Sequence, residues 1–465
     1  MARRRKNGSF ASFLFVFLLL FIISLIILVW GITTYDSSKI QQTTEEDDDL
    51  EKDDNRQFGD IVKEQEDWEE QEEKPEKEST EDDLSADDTQ IEDDTQIEDD
   101  TQIENDTKIE DAASYRRMYR QLSGEEQDIY RIVQRTLSEG ESICTIEKIY
   151  GTVETAQNKL IRAIDAVYYD YPEYFWFNHN SRWTYWDNGD SLKVEVELCF
   201  YEYWEYVLNK KAYIDDVNEK AQEIANEASK LESTYDKVKY VHDYLVTYAE
   251  YDYVAYEEIN QTVQRASNQQ SHTVYGCLVS RLSVCDGYAK TFQMIMNLLG
   301  IEAEYIEGDA GGPHAWNYIY LDGENYWMDV TWDDANRRNE DGSMAYPEGV
   351  DYGYFCITTN DLTKTHIPNN VFEVPECTAT EYNFFYRENS YLQSYNFEEF
   401  CRALEEQNGE QIISVKFSSE RELKAALDDL FNVNYRYMDL PGIGGTQFSY
   451  SYDEKQCILS LLLNN

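Results

Sequence analysis

Three side chains able to do chemistry together occur in order along one tract of the 465-residue chain: the thiol of Cys285, the imidazole of His314 and the carboxylate of Asp329. They sit in Cys-Asp-Gly-Tyr-Ala-Lys, Pro-His-Ala-Trp-Asn-Tyr and Tyr-Trp-Met-Asp-Val-Thr-Trp. A thiol is a nucleophile only as thiolate, an imidazole can take its proton, and a carboxylate can hold that imidazole in the useful tautomer. Acyl transfer at an amide carbonyl is the chemistry this order suggests.

The elements that must position these groups are legible from pattern. Tyr288, Phe292, Ile295, Met296 and Leu299 share one face of a helix running from Asp286 to Leu299, and Gly300 stops it. Cys285 therefore falls at a helix N-terminus, where unpaired N–H groups and the macrodipole favour a thiolate, with Asp286 partly opposing. Asp322-Gly323 marks a two-residue hairpin turn. If Leu321 pairs with Glu324, the register carried outward sets Asp329 opposite Trp316, and His314 becomes its diagonal neighbour on the same face. The loop from Asp309 to Pro313 either borders the site or is a plain connection, and Trp316 either packs in the core or walls the thiol; on the first reading of the loop and the second of Trp316, Gly312 and Trp316 are the candidate substrate contacts. Trp327 and Trp332 read as core.

Composition narrows the partners. The formal net charge is -53, and residues 41–111 hold 33 acidic and 6 basic side chains. Phosphate binding needs clustered Lys and Arg, so nucleic acid is excluded as a partner. Arg3, Arg4, Arg5 and Lys6 precede an apolar run from Phe13 to Trp30, long enough for a bilayer-crossing helix with a cytoplasmic start. The expectation is a single-pass signal anchor in the cell membrane, with everything after Thr33 extracytoplasmic. Eight cysteines show no zinc-site spacing, so neither a metal nor a cofactor is expected.

The expected organisation is a basic tip and transmembrane anchor at 1–33, then an acidic disordered linker at 34–111 containing Asp-Asp-Thr-Gln-Ile-Glu repeats from Asp87, Asp93 and Asp99. A small α+β domain follows at 112–214. It has a capping box at Ser123, a helix from Thr155 to Tyr169 with Leu160, Ile161, Ile164 and Val167 inward, a turn at Asn188-Gly189, and a half-buried strand from Leu192 to Phe200. His179 reads as a loop residue. One long helical tract from Asp215 to Tyr248 opens the catalytic region at 215–370, where His242 reads as a packing residue. A C-terminal α/β module at 371–465 should hold helices Phe397–Glu406 and Ser419–Phe431, the latter with a capping box at Ser419, and strands 412–417 and 456–463.

Tyr275-Gly276-Cys277-Leu278-Val279, Val284-Cys285-Asp286-Gly287-Tyr288-Ala289, His314-Ala315-Trp316-Asn317 and Asp329-Val330-Thr331-Trp332 resemble the transglutaminase-like superfamily in its bacterial extracytoplasmic form. The resemblance covers about residues 215–370. It implies an α+β, papain-like core, with a helical part carrying the thiol against an antiparallel sheet carrying the base and the acid, and it maps Cys285, His314 and Asp329 onto the family's triad. Tyr354-Phe355 and Thr363-Lys364-Thr365-His366 resemble that family's trailing segment, which gives His366 a structural part. The implied function is acyl transfer on peptide or glutamine amides, with a protein, peptide or cell-wall-associated substrate; the rival reading is a noncatalytic peptide- or wall-binding protein that retains the fold.

Overall fold

The computed structural model describes residues 56–60, 116–260, 269–334, 349–369, 371–407, 412–442 and 448–463. The anchor and most of the acidic linker expected from sequence lie outside them. Among the described residues, no helix is long and apolar enough to cross a membrane. Strand β1 (Arg56–Asp60) falls inside the tract read as linker and pairs antiparallel with a C-terminal strand, so that tract is not uniformly irregular.

Helix α1 (Gly124–Ser138) opens with the expected capping box: Ser123 N–H donates to Glu126 at 2.7 Å, and Glu126 N–H returns to Ser123 Oγ. Strand β2 (Ile143–Tyr150) was not anticipated from sequence. Helix α2 (Val153–Asp170) buries Leu160, Ile164 and Val167, whereas Ile161 is exposed, one position off the inward stripe. Strands β3 (Phe177–Asp187) and β4 (Ser191–Phe200) form the hairpin predicted around Asn188-Gly189, and β4 also pairs with β2. His179 is within β3 rather than in a loop. Its φ of 68° sits at an irregularity between Phe177 and Ser181, and its ring stacks on Tyr168 while Nε2 meets Asp165 at 2.8 Å.

The helical tract after β4 is two helices, α3 (Lys210–Ala228) and α4 (Thr234–Tyr248), the second capped afresh by Ser233. His242 in α4 is buried between Asp243 (2.9 Å) and Asp333 (3.1 Å). Helix α5 (Cys285–Leu298) crosses the middle of the molecule. It buries Lys290 and Gln293 as well as its apolar face.

The central sheet has the order β8-β5-β6-β7, all antiparallel, from β5 (Ala303–Asp309), β6 (Pro313–Leu321), β7 (Glu324–Met328) and β8 (Ile367–Pro368). The β6–β7 turn has Asp322 at φ 48° and Gly323 at φ 98°, as a primed two-residue turn requires. Its register is the predicted one, with Leu321 opposite Glu324 and Asn317 opposite Met328.

The α2 and β2–β4 segment shares a core with this sheet, since Tyr168 and Tyr169 meet Tyr305 edge-on or tilted and Gln293 Nε2 donates to the Tyr169 carbonyl at 2.8 Å. Phe372 and Phe385 also pack into the two cores around α5, and the separate C-terminal core begins at Leu392, beyond the expected boundary at 371. That core covers β9 (Tyr391–Leu392), α6 (Phe397–Glu406), β10 (Ile412–Phe417), α7 (Glu420–Leu427), β11 (Phe448–Asp453) and β12 (Ile458–Leu463). The Ser419 side chain makes no cap bond: the Glu422 N–H donates to the Ser419 carbonyl at 3.0 Å, and the Glu422 carboxylate accepts the Tyr395 N–H at 2.8 Å.

Candidate active site

Cys285 begins α5, and its side chain is 9% exposed. His314 is carried by β6, directly opposite Gly308 of β5, with Pro313 beginning the strand. Asp329 follows the last residue of β7, where its N–H donates to the Tyr354 carbonyl at 3.3 Å. The hairpin register brings the last two together: His314 Nε2 lies 2.7 Å from Asp329 Oδ2. With Nε2 engaged, Nδ1 is the ring atom left for Cys285, and the two residues line the same cleft. The three residues singled out by type and order thus converge.

Asp329 is almost fully buried and saturated with donors. Its Oδ1 accepts the backbone N–H groups of Thr331 (2.9 Å) and Trp332 (3.1 Å), and its Oδ2 accepts from His314 and, at 3.0 Å, from Nε2 of His366. Burial alone pushes a carboxylate up, yet the two imidazoles outweigh it and hold Asp329 well below the usual range. His366 is fully buried, with Nδ1 2.7 Å from Thr365 Oγ1, and burial keeps its pKa below the ordinary histidine value despite Asp329. The structural part expected of His366 is therefore a specific one: it holds the same carboxylate that holds His314. The nitrogen–oxygen separations of 2.7 and 3.0 Å that join His314 and His366 to Asp329 are direct hydrogen-bond distances.

For His314, burial opposes the charged ring, but Asp329 and the Cys285 thiolate outweigh it and raise the pKa to about 10. For Cys285, burial and then the adjacent Asp286 push the thiol up, while His314 and the Ala315 N–H pull the other way. This corrects the sequence expectation of a lowered thiol pKa. The helix start is where predicted, but desolvation and one neighbouring carboxylate prevail over it.

Asp286 is itself held in a network that the sequence did not reveal. His272 Nδ1 is 2.7 Å from its Oδ2, and the Tyr305 hydroxyl donates to Oδ1 at 2.8 Å. Burial works against the charge, yet His272 and the Lys290 ammonium bring the Asp286 pKa down to about 2. Lys290 is buried with its Nζ 3.5 Å over the Tyr168 ring, and burial lowers its pKa to about 8 against the pull of Asp286 and Glu307.

A cleft of about 620 Å³ opens over the thiol, lined by residues that include Tyr251, Tyr256, His272, Glu307 and Ile367 beside Cys285 and His314. Trp316 and Gly312, expected to touch substrate, are not among its walls. Trp316 is fully buried and stacks near His314 at 5.8 Å and edge-on to His366 at 4.8 Å, so it supports the imidazoles from behind. Gly312 lies next to the wall residue Pro313 but does not itself form the wall. Tyr251 and His272 come from the segment before α5, and no motif spacing tied them to Cys285. His366 had a signal in its Thr-Lys-Thr-His tail, but no pattern disclosed its contact.

A solved structure described as a TGase overlays 34% of this chain and 46% of its own, at 22% identity and a TM-score of 0.25. The kyphoscoliosis peptidases of Mus musculus and Homo sapiens are each 22% identical over 160 residues, which is 32% of this chain and 22% of theirs. The chain thus spans about a fifth of the length of these relatives. Residues 220–331 match the family model of the transglutaminase-like superfamily, a range that contains Cys285, His314 and Asp329. The chain therefore contains a transglutaminase-like domain.

Proposed function

We propose that the protein is a cysteine-dependent acyl-transfer enzyme acting on peptide or glutamine amides. The observation that carries this is the 2.7 Å His314–Asp329 bond beside a cleft-lining Cys285. In the first half-reaction Cys285 Sγ bonds to the amide carbon, the C–N bond breaks, and the amine leaves with the proton held by His314. In the second, water or a primary amine attacks the thioester, its proton passes to His314, and the thiolate is regenerated. Asp329, fixed by four donors, holds the imidazole throughout. The kyphoscoliosis relatives are described as peptidases, which supports the hydrolytic branch. The transglutaminase-like family supports the amine branch.

A noncatalytic reading, in which the cleft holds a peptide or wall polymer, is favoured by one observation: burial and Asp286 push the Cys285 thiol up, against its use as a nucleophile. A glutaminyl dipeptide incubated with and without a labelled primary amine separates these. Catalysis predicts ammonia release or amine incorporation that disappears in Cys285→Ala; identical behaviour of the two proteins refutes it. We further propose that Phe13–Trp30 anchors the protein in the cell membrane with the domain outside the cytoplasm. Protease shaving of intact cells tests this: loss of the domain supports it, and full protection contradicts it.

A further inference from the structure

Acyl transfer as proposed above passes through a tetrahedral oxyanion, and such sites ordinarily aim two donors at that oxygen. The Cys285 N–H, first in α5 and so without an intrahelical acceptor, supplies one. Among the side chains of the cleft wall beside the thiol, Asn369 already gives its amide to the Tyr169 hydroxyl at 3.4 Å and His272 has its Nδ1 2.7 Å from Asp286, while Tyr251 and Tyr256 carry O–H groups.

Their settings differ. Tyr256 sits on the rim and is 42% exposed. Tyr251 is half-buried and tied to the short strand that leads into the nucleophile's helix: it pairs in parallel with Ser283, two residues before Cys285. The residues on either side are fastened too, with Glu250 N–H donating to the Arg281 carbonyl at 2.9 Å and Asp252 N–H to the Ser283 carbonyl at 2.8 Å. Asp252 is buried and accepts the Ala255 N–H at 3.0 Å and the Ser271 hydroxyl. The Tyr251 ring is braced edge-on by Tyr253 at 5.0 Å. Nothing in this arrangement uses its hydroxyl: among the described residues it has no hydrogen-bond partner, although it stands in the wall of the cleft.

We propose that the Tyr251 phenol is the second oxyanion donor, a catalytic residue paired with the Cys285 N–H. As the Sγ–C bond forms, the carbonyl π pair moves onto oxygen, and the two groups donate to it without transferring a proton. When that pair returns, the C–N bond breaks and the amine leaves with the His314 proton. Burial, and after it the Cys285 thiolate, keep the phenol protonated far above neutral pH, so the donor is present whenever the enzyme turns over.

This assignment rests on the acyl-transfer reading, and paired probes of one thiol separate the two. Acylation of Cys285 by p-nitrophenyl acetate passes through an oxyanion, whereas alkylation by iodoacetamide displaces iodide at saturated carbon and forms none. Tyr251→Phe should slow acylation on the order of 10²-fold while leaving alkylation unchanged. Acylation at the parent rate overturns the assignment, as does an equal fall in both rates, which marks a structural role. If the parent acylates no faster than Cys285→Ala, the acyl-transfer reading itself fails and the assignment with it. The unchanged alkylation rate also reports that the variant has folded.

Discussion

His314 and His366 reach the same oxygen of Asp329, at 2.7 and 3.0 Å. One carboxylate therefore serves two imidazoles, and His366 acts on the thiol only through it. Replacing His366 with Leu removes a donor from a buried anion, so Asp329 concentrates its charge on His314. The alkaline limb of the kcat/KM profile should move to higher pH, and kcat should fall by about tenfold, equivalent to about 1.4 kcal/mol of transition-state placement. His366→Gln keeps an N–H and should restore most of the rate. Loss of rate in both variants with no movement of the limb would mean that His366 is only packing.

The Asp286 carboxylate beside the nucleophile pushes the thiol up, second only to burial. Asp286→Asn removes that charge while keeping a polar group of the same shape. The midpoint of the pH dependence of Cys285 alkylation should fall, and the direction is opposite to that of removing His314. An unchanged midpoint would show that the adjacent charge has no hold on the thiol.

The same carboxylate gives acid-dependent stability. Its folded pKa of about 2 lies below the ordinary aspartate value. A depressed acid contributes stability that is fully present above the unfolded pKa and is lost as pH falls through the folded one, here roughly from pH 4 to pH 2. The contribution is roughly 2 kcal/mol. Urea unfolding should show Asp286→Asn less stable than the parent at pH 6, with the gap narrowing as pH approaches 2. A gap constant with pH would contradict the ion network with His272 and Lys290.

Gly308 lets the strand carrying the end of the His366 segment close on the central sheet. A Cβ at this position would stand 2.2 Å from the Ile367 carbonyl oxygen and 2.5 Å from Trp316 Cη2. Gly308→Ala should therefore cost about 1–3 kcal/mol, as overpacking does. It should also loosen the His366–Asp329 contact. Thermal unfolding should move down by several degrees, and kcat should fall with it; an unchanged melting temperature would show that β8 can retreat freely.

Much of this site was legible because period and register are local properties. The Asp322-Gly323 turn and alternation along β6 and β7 were enough to place Asp329 beside His314, and Gly300 with the apolar spacing was enough to start a helix at Cys285. What was not legible depends on contacts between distant segments. His272 and Tyr251 reach the cleft through chain paths that no periodicity encodes, and His366 reaches Asp329 only because Gly308 permits close approach. Lys290 and Gln293 lie off the apolar stripe of α5, yet both are buried because neighbouring segments pack along most of the helix. Trp316 was placed on the correct face of its strand, yet that face also supports the imidazoles, and the tryptophan went behind the site rather than into the cleft. The thiol shift went the other way from expectation because burial is a property of the finished fold.

The proposed function requires Cys285 and His314 to work as one proton-sharing pair, and the pH dependence of Cys285 alkylation reads that pairing. His314 is the side chain that pulls the thiol pKa down against burial and Asp286. His314→Ala should therefore move the alkylation midpoint to higher pH and slow labelling at neutral pH. An identical midpoint in the parent and in His314→Ala would contradict the pair, and with it the acyl-transfer function.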